Sequence, residues 1–153
     1  MNPKEILFNA HQALDIEIGE LTSLRNRLND SFVKSVLAIN ESKGKLIVAN
    51  KIVATLNSTG TPSQFLHAAE AIHGDLGVIQ KQDIVLCISY SGNSAEIVNL
   101  LPFLKEYSTA LIGMTGNPDS KLGKMSDIIL NTHVEKEACP NKLAPTSSTT
   151  VQM

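Results

Sequence analysis

No stretch of this chain concentrates Lys or Arg among aromatic residues, and 13 basic against 15 acidic residues leave a formal charge of −2. A nucleic acid or an anionic membrane is therefore not an expected partner. No apolar segment approaches the roughly 18 residues that a membrane span requires. The opening residues, MNPKEILFNAHQ, lack the cationic-then-apolar layout of a signal peptide, so the expected location is the cytoplasm. There are two cysteines, Cys87 inside an apolar run and Cys139 far along the chain, with no CxxC and no metal-ligand spacing. Both are expected to be plain reduced thiols. Internal repeats, low-complexity tracts and linkers are missing as well. What remains is 153 residues, 42% hydrophobic and 18% charged, enough for one domain with a real core.

The N-terminal residues Asn2-Pro3-Lys4-Glu5 combine a capping side chain, a proline for the first helical position and an acid in the first turn. Ile6, Leu7, Ala10, Leu14, Ile18, Leu21 and Leu24 continue at helical spacing. A second helix is predicted over Asp30–Asn40, closed by the polar turn Glu41-Ser42-Lys43-Gly44. From Lys45 the rhythm changes to short apolar runs, KLIVA, QFLH, DIVLCIS, ALIGMT and DIILN, none alternating with a period of two. Such runs indicate strands buried on both faces, as in a parallel sheet with helices on either side. The intervening helices are expected near Lys51–Asn57, Ala68–His73, Ala95–Tyr107 and Ser120–Met125. The fold class is thus a doubly wound α/β domain, with ligands expected at the carboxyl ends of the strands. One junction is physically awkward. KLIV runs into the helix-like KIVATLNSTG through Ala49 and Asn50, without the two to six residues a strand-to-helix turn usually takes.

The most informative segment is Asp83–Glu96, DIVLCISYSGNSAE, a buried strand leading into a hydroxyl-rich turn and a helix. Gly92 lets the backbone close around a ligand, and Ser89, Ser91 and Ser94 offer hydroxyls. The helix from Ala95 points its positive end at the same place, which suits an anion. A nucleotide-binding P-loop would show GxxxxGK followed by Ser or Thr. Three serines and no lysine favour a compact sugar phosphate instead. The plain alternative is an N-capping turn with surplus serines. Glu96, in the first helical turn, either interacts with the helix dipole or holds a carboxylate one turn from the phosphate.

Two further segments carry candidates. His67-Ala-Ala-Glu70 and His73-Gly-Asp75 follow a strand. Without a further clear ligand, a metal site is less expected than a catalytic or hydrogen-bonding His73; His67 can equally be a helix-packing histidine and Gly74-Asp75 a turn. Glu135-Lys136-Glu137-Ala-Cys139-Pro140 follows the last strand and precedes the hydroxyl cluster Thr146–Thr150, which repeats the anion-seat logic in weaker form. That cluster reads either as a polar tail or as a helix start, with Val151-Gln152-Met153 looking like helix just begun.

Together, STGTPSQFLHAAEAIHGDLG, CISYSGNSAEI and KEACPNKLAPTSSTT closely resemble the sugar isomerase (SIS) domain of the bacterial arabinose-5-phosphate isomerases, over nearly the whole chain after Lys43. SxSGxSxE indicates SIS domains in general, whereas HGDLG with KEACPxxLAPTSSTT points to this family. The resemblance implies a flavodoxin-like five-stranded parallel sheet flanked by helices, assembled into homotetramers. It also implies interconversion of D-ribulose 5-phosphate and D-arabinose 5-phosphate through a cis-enediol, the entry to the Kdo sugar of lipopolysaccharide. Carried over by motif, Ser89, Ser91, Gly92 and Ser94, helped by Thr146, Ser147 and Ser148, would hold the phosphate. Glu96 and Glu137 would be the acid/base candidates, either of them the base for the carbon-bound proton, and His73 would line the sugar site. No cofactor and no metal is implied.

The chain departs from the family pattern in three ways. No glycine-rich loop with its active-site lysine follows Val48. Restoring that loop would cure the awkward junction, so residues missing from the sequence are expected rather than an evolved deletion, and Lys51 does not inherit the lysine's role. The chain ends at Met153, before helices that supply a further histidine in the family, and it carries no CBS domains. Were the loop truly lacking from the protein, an impaired or inactive isomerase would be expected. The rival readings are a non-catalytic SIS module that senses a sugar phosphate or nucleotide sugar, which the missing lysine favours, and an isomerase of heptose or hexulose phosphates, which HGDLG and KEACP oppose.

Overall fold

The Asn2 side chain accepts the Lys4 N–H at 3.1 Å and Pro3 takes the first helical position, so helix α1 runs Pro3–Arg27 as the capping pattern predicts. The computed structural model describes residues 2–48, 52–71, 74–141 and 143–153. The awkward junction at Ala49–Lys51 therefore lies outside the described residues. By its contacts the chain forms two compact units, Met1–Leu28 with Thr132–Met153, and Asn29–Asn131.

The second unit holds the sheet. Helix α2 (Asp30–Glu41), capped by Asn29, precedes β1 (Leu46–Val48), α3 (Val53–Ser58), β2 (Ser63–Phe65), α4 (Ala68–Ala71), a 3-10 turn (Asp75–Val78), β3 (Ile84–Ile88), α5 (Ala95–Tyr107), β4 (Ala110–Thr115), α6 (Lys121–Met125) and β5 (Ile128–Asn131). All four strand pairings are parallel, in the order β2-β1-β3-β4-β5. This is the flavodoxin-like order, and it turns back at the β1/β3 boundary, where a doubly wound sheet opens its ligand crevice.

The lack of period-two patterning has its cause in two separate cores. Leu46, Val48, Ile84, Leu86 and Ile112 point to one face, against residues of α2 and α3. Ile47, Val85, Cys87 and Leu111 point to the other, against Ile97, Leu100, Leu101 and Leu104 of α5. Successive side chains go to opposite faces, and here both faces are dry, so every position is apolar.

Asp83 closes the amino end of this sheet. Its side chain is 1% exposed, and it accepts N–H groups from Lys45 and Gln80 (both 2.9 Å) and the Lys45 ammonium (3.0 Å). Burial pushes its carboxyl up, but the Gln80 and Lys45 hydrogen bonds and the Lys45 charge outweigh it and hold the group below its ordinary 3.8.

Several element boundaries differ from the sequence reading. QFLH was expected as a strand, but β2 ends at Phe65; the His67 carbonyl instead accepts from Glu70 and Ala71 and starts α4. Ser120 is the cap of α6 rather than part of it, its hydroxyl accepting the Gly123 N–H at 3.1 Å. The hydroxyl cluster does open a helix, α7 (Ser147–Thr150) with Thr146 at its N-cap, but Val151 ends it and does not carry it further.

Candidate functional site

The turn after β3 is tied down before any ligand arrives. Ser89 N donates to Met114 O at 3.0 Å, Tyr90 O accepts from Gly116 N at 3.0 Å, and Gly92 O accepts from Leu122 N at 3.0 Å. Gly92 has φ 63°. A Cβ there would lie 2.0 Å from Ser120 Oγ and 2.9 Å from Thr115 Oγ1, so glycine is required both by conformation and by space. The Ser89 and Ser91 hydroxyls accept from Gly92 N (3.2 Å) and Asn93 N (3.3 Å), and each still carries an O–H donor.

Ser94 occupies the N-cap position of α5, yet its side chain makes no cap hydrogen bond. The simple capping account of the serine-rich turn therefore does not describe Ser94. The first N–H groups of a helix have no intrahelical acceptor, so α5 presents them, with the Ser94 hydroxyl, at the carboxyl end of β3. Glu96 sits in the first turn of α5 and is exposed; among the described residues its carboxylate makes no hydrogen bond or ion pair. Ser89, Ser91, Gly92, Ser94 and Glu96 thus share one loop and helix start.

The first unit brings together the other predicted group. Glu137 Oε2 accepts from Thr146 N (2.8 Å), Thr146 Oγ1 (2.9 Å) and Ser148 N (3.3 Å). Burial raises the Glu137 carboxyl, but hydrogen bonds from the Ser148 hydroxyl and from the N–H and hydroxyl of Thr146 outweigh it, so the group lies below its ordinary value. Glu137 is therefore an ionised carboxylate at neutral pH. It lines a cavity of about 380 Å³ with Asn9, Gln12, Ile16, Lys136 and Cys139. Ser147 is fully buried, and its hydroxyl has no hydrogen-bond partner among the described residues.

His73 lies outside the described residues. His67 is exposed and packs edge-on to Phe65, with ring centroids 6.1 Å apart. Among the described residues no cluster of three or more His, Cys, Asp or Glu side chains could hold a metal ion. Sequence reasoning missed two things here. Thr146 serves the Glu137 carboxylate, and Glu20 of α1, 7% exposed, accepts from Glu135 N and Lys136 N at 3.1 and 2.8 Å. An acid in the middle of a long helix gives no local sign of such a role.

The family model described as SIS domain matches residues 43–153. The chain belongs to the SIS domain family. It is 46% identical to arabinose 5-phosphate isomerase KdsD of Pseudomonas aeruginosa over 97% of this chain and 48% of that protein. It is 47% identical to arabinose 5-phosphate isomerase GutQ of Escherichia coli K12 over 95% of this chain and 48% of that protein. This SIS chain therefore spans about half the length of the curated relatives it matches. Among solved structures, a putative sugar-phosphate isomerase from Listeria monocytogenes superposes with TM-score 0.93 at 37% identity, over 99% of this chain and 84% of that one. An Escherichia coli CFT073 protein solved in complex with arabinose 5-phosphate gives TM-score 0.93 at 34% identity, over 99% of this chain and 86% of that one. The five-stranded parallel architecture expected from the sequence is the one observed, and both solved structures superpose on it.

Proposed function

We propose that the chain is the SIS domain of an arabinose-5-phosphate isomerase, interconverting D-ribulose 5-phosphate and D-arabinose 5-phosphate. The observation that carries this reading is 46% identity over 97% of the chain to a protein of that name. The geometry supports it. Moving a carbonyl along a sugar through a cis-enediol needs a base for the proton on the neighbouring carbon, a group that shifts protons between the two oxygens, and an anchor for the phosphate. Glu137, held ionised, suits the base, and Glu96, exposed at the start of α5, is the second acid/base group. The hydroxyls of Ser89, Ser91 and Ser94 around Gly92 form the phosphate anchor. The motif resemblance gives Thr146, Ser147 and Ser148 an assisting part, and the Ser147 hydroxyl has no hydrogen-bond partner among the described residues. His73, which lies outside the described residues, is given a part at the sugar site by the motif resemblance alone. The reaction itself needs no redox cofactor.

The proposed setting is the cytoplasm, at the entry to Kdo and lipopolysaccharide synthesis. Among the described residues no helix is long and apolar enough to cross a membrane. A homotetramer is the proposed assembly. Ile6, Leu7, Phe8 and Ile18 of α1 and Phe32 and Val33 of α2 are 45% or more exposed, more large apolar surface than a monomer gains by showing. The second reading, a sensing module, is favoured by the lack of a lysine-bearing loop after Val48 in the sequence.

Incubation with D-ribulose 5-phosphate, with product followed by NMR, tests these readings. Appearance of D-arabinose 5-phosphate is expected. Saturable binding without turnover would establish the sensor, and neither binding nor turnover would overturn both.

A further inference from the structure

Helix α1 shows Leu14, Ile18 and Leu21 at 56%, 59% and 41% exposure, yet it buries the carboxylate of Glu20. Burying a charge costs stability unless its partners compensate. Glu20 Oε1 takes the N–H groups of Glu135 and Lys136, while Oε2 is buried and has no hydrogen-bond partner among the described residues. Those two N–H groups belong to the residues immediately before Glu137.

The segment around Glu137 lies in neither helix nor strand, so no regular ladder fixes its course. It is held from two sides. Glu20 grips the backbone ahead of Glu137, and Thr146 Oγ1 accepts the Ala138 N–H behind it at 2.8 Å. Misplacing a reacting group by about 1 Å can cost on the order of a hundredfold in rate, so a backbone clamp one residue from the base bears directly on turnover.

We propose that Glu20 is a positioning residue for Glu137, acting by holding the 135–136 backbone and not by touching substrate. This rests on the reading of Glu137 as the isomerase base. The test compares wild type, Glu20→Ala, Glu20→Gln and Glu20→Asp, each alone and with Glu137→Gln, in turnover of D-ribulose 5-phosphate. Glu20→Ala should lower kcat at least tenfold with KM within threefold. Glu20→Gln keeps an oxygen for both N–H groups and should stay within threefold of wild type. In the Glu137→Gln background, Glu20→Ala should remove less than a further twofold, because the group it positions is already gone.

A kcat within threefold of wild type for Glu20→Ala, or an equal fold-loss in both backgrounds, overturns the proposal. Should Glu20→Ala not fold, the pair Glu20→Asp and Glu20→Gln decides. The shorter acid should lose tenfold while the amide does not, and equal activity of the two overturns the clamp. If the wild type shows no turnover, the functional reading fails separately, and amide hydrogen exchange still judges the clamp. Protection at Glu135 and Lys136 should fall at least tenfold in Glu20→Ala with β3 unchanged, and unchanged protection at 135–136 overturns it.

Discussion

Glu137 accepts both the backbone N–H and the hydroxyl of Thr146, at 2.8 and 2.9 Å, across nine residues that include two prolines. The same hydroxyl accepts from Ala138 N. Thr146 thus helps Ser148 hold the Glu137 carboxyl below its ordinary value, and it also fixes the path of the backbone beside it.

Replacing Thr146 by valine removes one donor to the charged form of Glu137 and leaves the Ala138 N–H without its acceptor. The Glu137 carboxyl, held below its ordinary value in the wild type, should rise. The acid limb of the pH profile of kcat/KM should then move to higher pH, and kcat should fall about tenfold or more. A limb in its original place would mean that Glu137 does not set it.

Glu96→Gln and Glu137→Gln each keep size and remove the titrating group. Each should lower turnover by about two orders of magnitude or more while sugar-phosphate affinity, read by calorimetry, stays within a few fold. Wild-type turnover in both variants would end the acid/base assignment.

Gly92→Ala forces a Cβ to within 2.0 Å of Ser120 Oγ at a backbone φ of 63°. The turn must open, and Ser120 also caps α6. Sugar-phosphate affinity should drop at least about tenfold, with a lower melting temperature, because conformational strain and overpacking each cost about 1–3 kcal/mol.

Asp83 has a lower pKa folded than unfolded, so its contribution to stability is complete above the unfolded value and is lost as pH falls through the folded one. Asp83→Asn should cost about 2 kcal/mol at pH 7, the usual scale for hydrogen bonds to a charged group. In denaturant titrations the gap from wild type should narrow as pH falls below about 4. A pH-independent gap would show that the charge of Asp83 does not contribute.

Cys87 is buried in the sheet and its thiol is pushed up to about 12 by burial, whereas Cys139 is half-buried. A thiolate is the reactive form. Native protein should therefore consume one equivalent of an aromatic disulfide reagent, and unfolded protein two. Two equivalents consumed rapidly in the native state would contradict the packing around Cys87.

The sequence determined the sheet and the glycine–serine turn that is proposed as the anion seat because both are local in their cause. Two dry faces make strands uniformly apolar, and a glycine and three serines between β3 and α5 can be read without knowing what surrounds them. Boundaries such as the end of β2 were less legible, since the His67 carbonyl is claimed by the start of α4, a competition invisible in a list of apolar residues. Tertiary structure alone decided how Glu137 is held. Thr146 and Ser148 reach it from nine and eleven residues away, and Glu20 clamps its backbone from more than a hundred residues upstream. Hydrogen bonds between distant side chains and backbone leave no periodicity in sequence, because their spacing is set by how the chain returns on itself.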